Sequence, residues 1–211
     1  MTERVELHEP YADATQQQEA IMMGMYVFLA SEIMLFGGLV AVAFVLRFLH
    51  PQEMVEASKR LHIYVGAINT AVLLTSSLFV ALAVQAARAA ARSRTALFTG
   101  GAAGLGVAFL GLKAIEYYEE YGEGLLPGIS EPGQFTSPVQ RQFMDLYLVA
   151  TGLHAIHVTI GILLLGGLGW LAGGGRLRLP QRAVTVETAG LYWHLVDVIW
   201  VFLYPILYLA R

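Results

Sequence analysis

The stretch Gly190–Leu209, GLYWHLVDVIWVFLYPILYL, is almost wholly apolar and as long as a membrane span. About 20 such residues in a helix cross a hydrocarbon core of about 30 Å. Yet His194 and Asp197 stand in its middle, one helical turn apart. An ionisable group at that depth costs roughly 2.5–3.5 kcal/mol on insertion scales, so the pair needs partners inside a bundle. Reading this segment as a span makes the chain a membrane protein and sends the search to the other helices for those partners.

Composition agrees. Of 211 residues, 56% are hydrophobic and 14% charged, with a mean hydropathy of +0.59. The apolar residues fall into long runs, which points to a polytopic all-α protein with five transmembrane helices. The expected spans are about 20–48, 62–87, 96–118, 143–171 and 187–209. Residues 1–19 read as a polar cytoplasmic tail and 20–211 as one five-helix transmembrane domain. The tail has no apolar core for a signal peptidase, so the first span is expected to act as its own insertion signal. The absence of cysteine excludes disulfides, thioether-linked haem, iron–sulfur clusters and prenylation. A net charge of −3 gives no reason to expect a nucleic-acid partner.

Orientation follows from basic residues near the span ends. Arg4, Arg88, Arg92, Arg94, Arg176, Arg178 and Arg182 fall on one side. Arg47, Lys59, Arg60, Arg141 and Arg211 fall on the other, beside the acidic loop between the third and fourth spans. The bias favours a cytoplasmic N-terminus and an outward C-terminus.

Each span carries polar residues with a bland and a functional reading. Glu32 lies about 12 residues into the first span, hence about 18 Å deep at 1.5 Å per residue. A lone carboxyl near the midplane favours function or a partner contact over tolerated packing. In the second span Asn69, Thr70, Thr75, Ser76 and Ser77 favour helix–helix contact. Lys113 and Glu116, spaced i, i+3, read as an interfacial ion pair with Tyr117 and Tyr118 as belt aromatics. His154 and His157 are also spaced i, i+3. With His194 they could hold a metal, but the paired Glu-x-x-His pattern of a di-iron bundle is missing. A hydrogen-bonded network of His154, His157, His194 and Asp197 is the preferred reading, joining the last two spans, and no metal is expected.

YWHLVDVIWVFLYPILYL, TGLHAIHVTIG, NTAVLLTSS and KAIEYYE, together with FLASEIMLF around Glu32, resemble the helices of subunit III of the haem–copper oxidases, in order and over nearly the whole chain from Gln18. Larger members have seven helices, of which the first two form one wall of a lipid-filled cleft. The five here are similar to the last five, as in short bacterial members. The resemblance implies a non-catalytic subunit packed against subunit I, with haem and copper in partner subunits and none in this chain. It implies residence in the bacterial cytoplasmic membrane within a complex that reduces oxygen to water and pumps protons. It places on Glu32 the family's buried carboxylate, linked to proton uptake, bound phospholipid and durability in turnover. Three other readings stay open. One is a small membrane cytochrome ligated by His62, His154, His157 and His194. Another is a proton-coupled transporter using Glu32 and Asp197. The third is the related subunit of a quinol oxidase or nitric oxide reductase.

Overall fold

The structure is a computed structural model that describes residues 13–125 and 137–209. Arg4, Arg211, most of the N-terminal tail and the loop centre at 126–136 lie outside the described residues.

Six helices are present: α1 (Ala14–Leu49), α2 (Pro51–Ser58), α3 (Ile63–Arg88), α4 (Arg92–Gly122), α5 (Pro138–Gly173) and α6 (Ala183–Tyr208). All but α2 are long and apolar enough to cross a membrane. The expected spans are thus recovered, each shifted or extended by up to six residues. The largest shift is at the start, where Asp13 caps α1 by accepting a hydrogen bond from the Gln16 amide at 2.7 Å. The helix therefore takes in the last residues of the expected polar tail.

Turn chemistry explains the other boundaries. Pro51 disfavours helix at His50 and suits the first turn of a new one, so the chain ends α1 and restarts as α2. Three helices end in the same double-bonded cap. After α3 the Ala91 amide reaches the Ala86 carbonyl at 2.9 Å and the Ala90 amide reaches Ala87 at 3.1 Å. Ala90 takes φ 56° to allow it, a left-handed conformation usually given to glycine. Gly124 after α4 and Gly175 after α5 hold the equivalent place with φ 71° and 69°.

Helices α3, α4, α5 and α6 form the packed body. The other long helix, α1, lies on one side against α5 and α6. Trp193 of α6 is fully buried among α4 and α5. A Cβ at Gly161 would sit 2.5 Å from the Trp193 ring, and one at Gly106 would sit 2.7 Å from it. Two glycines on two helices thus make the slot for one indole, the small-residue packing that brings membrane helices close. Ser76 of α3 donates to the Ala102 carbonyl of α4 at 3.0 Å, and Trp200 of α6 donates to Thr70 of α3 at 3.1 Å. These two residues act as the packing reading of the second span requires. Thr75 instead bonds back to Ala71 on its own helix.

The short α2 closes one end of the bundle. Met54, Ala57 and Ser58 are buried, and Ser58 donates to the Leu207 carbonyl at 2.9 Å. Its polar face meets the start of α5: Glu53 accepts from Ser137, and Glu56 accepts from Gln140 at 3.0 Å.

The outer faces remain apolar. Met34, Phe48, Tyr64, Leu97, Leu163 and Trp170 are each at least two-thirds exposed. Such surfaces suit lipid or partner helices rather than water.

Candidate functional site

Two separate polar centres occupy the bundle. The first lies where α1 meets α5 and α6. Glu32 is seventeen residues from either end of the span Thr15–Leu49. Its Oε2 lies 2.9 Å from His157 Nε2, and both side chains are 13% exposed. The contact is close but off the line of a hydrogen bond. The other ring nitrogen, Nδ1, lies 2.8 Å from the Leu153 carbonyl, which fixes it as the N–H donor. Phe36 meets the imidazole edge-on at 5.4 Å, and Tyr192 donates to the His157 carbonyl at 2.9 Å. Carboxyl and imidazole thus share a nearly enclosed, largely apolar pocket. Beside it an apolar groove of about 290 Å³ runs between α1 and α6, lined by residues such as Ile33, Val40, Leu195 and Phe202.

The second centre is built on one face of α4. Lys113, Glu116 and Glu120 are spaced to face inward together, and all three are buried. Lys113 Nζ donates to Glu116 Oε2 at 2.8 Å, to the Tyr208 hydroxyl at 2.9 Å and to the Tyr147 hydroxyl at 3.0 Å. The Tyr208 hydroxyl lies 2.8 Å from Glu116 Oε1, and the Tyr147 hydroxyl lies 2.7 Å from Glu120 Oε1. The two hydroxyls are 3.1 Å apart. The Lys113–Glu116 pair therefore forms as the spacing predicts, but it faces into the bundle rather than outward with belt aromatics. Of the two tyrosines, Tyr118 is 78% exposed and keeps a belt-like position, whereas Tyr117 turns inward to Thr151. Glu120 shares the Lys113 face at i+7 and was legible by helical period. Tyr147 and Tyr208 come from other helices and carry no local signal.

The expected network joining the last two spans is not what the structure builds. His194 Nδ1 lies 2.6 Å from Ser77 Oγ, on α3. Asp197 also lies near Ser77, but neither buried carboxyl oxygen has an aligned partner. His157 turns to α1. His154 is fully buried between Phe109 and Trp200, with ring centroids 5.5 and 5.1 Å away, and neither ring nitrogen is hydrogen-bonded. The reason is helix rotation: α6 packs against both α3 and α5, and the His194/Asp197 face falls on the α3 side. The ring of His154 meets aromatic faces before it can reach a polar group on α6.

The same contacts bear on ligation. Among the described residues no group of three or more His, Cys, Asp or Glu is placed to hold a metal ion. His62 lies 3.7 Å from Glu119 at the bundle end, and the other three imidazoles have the separate contacts given above. Haem held by two imidazoles needs ring nitrogens converging on one open space. The enclosed His154 and the tied His157 do not fit that arrangement.

Five long apolar helices, bound by glycine slots and buried polar contacts, define a multi-pass α-helical membrane protein. Residues 10–210 match the family described as cytochrome c oxidase subunit III. The cytochrome c oxidase subunit 3 of Thermostichus vulcanus is 33% identical over 191 residues, covering 89% of this chain and 86% of that protein. The quinol oxidase subunit 3 of Bacillus subtilis is 30% identical, covering 89% of this chain and 86% of its own length. A haem–copper oxidase subunit I+III of Aeropyrum pernix is 31% identical over 92% of this chain, which matches 23% of that longer protein. The chain belongs to the cytochrome c oxidase subunit III family of the haem–copper oxidases.

Proposed function

We propose that this chain is subunit III of a respiratory haem–copper terminal oxidase, a non-catalytic partner of the subunit that reduces oxygen to water and pumps protons. The observation that carries the reading is the fused relative: a subunit I+III polypeptide matches almost the whole chain. Two proteins joined in one chain elsewhere are natural partners when separate. Haem and copper then belong to subunit I. The broad apolar faces of the bundle supply surface for packing against it and for bound phospholipid.

The residence proposed is a bacterial cytoplasmic membrane. Arg88, Arg92, Arg94, Arg176, Arg178 and Arg182 cluster at the end where α1 begins, which favours that end as cytoplasmic. Lys113 is buried in the bundle and drops out of the count. The start of α1 and the end of α6 then lie on opposite sides. A quinol oxidase is the second reading, favoured by relatives of both kinds at similar identity.

Within that role, Glu32 is the carboxylate tied to local proton uptake and lipid retention. Support comes from its central depth, its contact with His157 and the apolar groove alongside. The chain should be extracted in mild detergent with a haem-bearing partner. Affinity purification with haem spectra and partner identification tests this. A stable monomer from a membrane that holds no such partner would sink the reading.

A further inference from the structure

The hydrogen atoms of the second polar centre can be counted. Six oxygen–oxygen or nitrogen–oxygen contacts of 3.1 Å or less link Lys113, Glu116, Glu120, Tyr147 and Tyr208. With both carboxyls ionised the cluster holds five donor hydrogens, three on Lys113 and one on each phenol. Lys113 uses its three on Glu116 and the two phenol oxygens. If each phenol then donates to its carboxylate, the Tyr147–Tyr208 contact has no hydrogen, and two oxygens stand 3.1 Å apart lone pair to lone pair. Charge makes the same demand. One ammonium and two carboxylates leave a net negative charge among side chains with 0–3% exposure, which the interior strongly opposes. Glu120 Oε2 is the oxygen left without any donor.

We propose that Glu120 is a proton-binding site, its carboxyl holding the sixth hydrogen within a neutral Lys113–Glu116–Glu120–Tyr147–Tyr208 cluster. Glu120 Oε1–H then donates to the Tyr147 oxygen, Tyr147 donates to Tyr208, and Tyr208 donates to Glu116. Each contact carries one hydrogen. Each phenol oxygen accepts two bonds, the number its lone pairs allow. The unpaired Oε2 becomes the carbonyl oxygen of an acid, a weaker acceptor that is less costly to bury than a carboxylate oxygen. Glu116 takes the ionised role because it receives both the ammonium and a phenol. Among the described residues, Lys113 is the cation whose charge acts on Glu120. Tyr117 and Glu119 on α4 and Glu123 just after it are its other titratable neighbours in that segment, Tyr147 faces it from α5, and Tyr208 lies one phenol away on α6. His62, ahead of α3, lies beside Glu119 at 3.7 Å.

The test is infrared spectroscopy on the protein as extracted, with whatever partners accompany it. The wild-type-minus-Glu120→Gln difference spectrum should show loss of one protonated-acid C=O stretch, shifted in deuterium oxide. Glu120→Gln should keep the subunit folded, because its amide N–H replaces the acid O–H toward Tyr147. Where that variant fails to accumulate, Glu120→Asp serves instead, and the acid band should move rather than vanish. Carboxylate stretches in place of the acid band in either difference spectrum would overturn the assignment. So would a protonated-acid region unchanged by both substitutions.

Discussion

Lys113 shows how the same residue can read as surface chemistry in sequence and act as core chemistry in structure. All three of its N–H groups are satisfied within a buried shell, and the rings of Tyr117, Tyr147, Trp200 and Tyr208 surround the ammonium at 4.9–5.6 Å. Removing one member of a buried ion pair strands the other, at a cost of about 3–5 kcal/mol. Lys113→Met should therefore destabilise the subunit by that order, read as lowered thermal retention in extracted membranes. Glu120→Gln should lose far less. The residue scale also decides the question raised by His194 and Asp197. His194 finds its partner in Ser77 across the α3–α6 seam, so Ser77→Ala and His194→Ala should couple by about 0.5 kcal/mol or more in a double-mutant cycle. Asp197→Asn and His157→Gln should add, because Asp197 lies near Ser77 on α3 whereas His157 faces Glu32 on α1. Coupling in the second cycle with additivity in the first would restore the link between α5 and α6.

At the scale of elements, length and hydropathy made the five long helices legible. Exposed apolar faces and buried apolar faces look alike in such a chain, and helical rotation was the part that stayed hidden. This is why Lys113 and the His194/Asp197 face pointed somewhere other than expected. Glu32 needs no rotation to be placed along its helix, because position along a span follows from a residue count alone. The short α2 escaped notice because PQEMVEAS is neither long nor strongly apolar; its structure rests on Pro51 and on tertiary contacts with α5 and α6. The α3–α4 turn offers a test of local control. Ala90 occupies the left-handed cap position at φ 56°, where a Cβ costs about 1–2 kcal/mol. Ala90→Gly should relieve most of this and raise stability by about 1 kcal/mol, after the added chain entropy of glycine is set against it. A raised midpoint of thermal or denaturant unfolding is the expected reading, and an unchanged or lowered one would show that the turn is held by the bundle rather than by its own geometry.

For the whole molecule, the division between packed body and side helix matters most. Trp193, Trp200, Tyr147 and Tyr208 lock α3 through α6 together, whereas α1 rests against α5 and α6 with most of its surface turned outward. Glu32 sits on that less enclosed helix, opposite His157 on the rigid body. Its loss would loosen a seam without touching the packed core. Under the proposed role, no redox centre depends on it either, because haem and copper would lie in subunit I. Glu32→Ala should therefore leave the initial rate of oxygen reduction nearly unchanged. The defect should develop with turnover, as faster inactivation per catalytic cycle and weaker retention of phospholipid beside the α1–α6 groove. Oxygen consumption followed to inactivation, together with lipid analysis of the purified complex, separates these effects. Immediate loss of the haem–copper absorption spectrum in Glu32→Ala would place this carboxyl in the catalytic machinery and refute the supporting role.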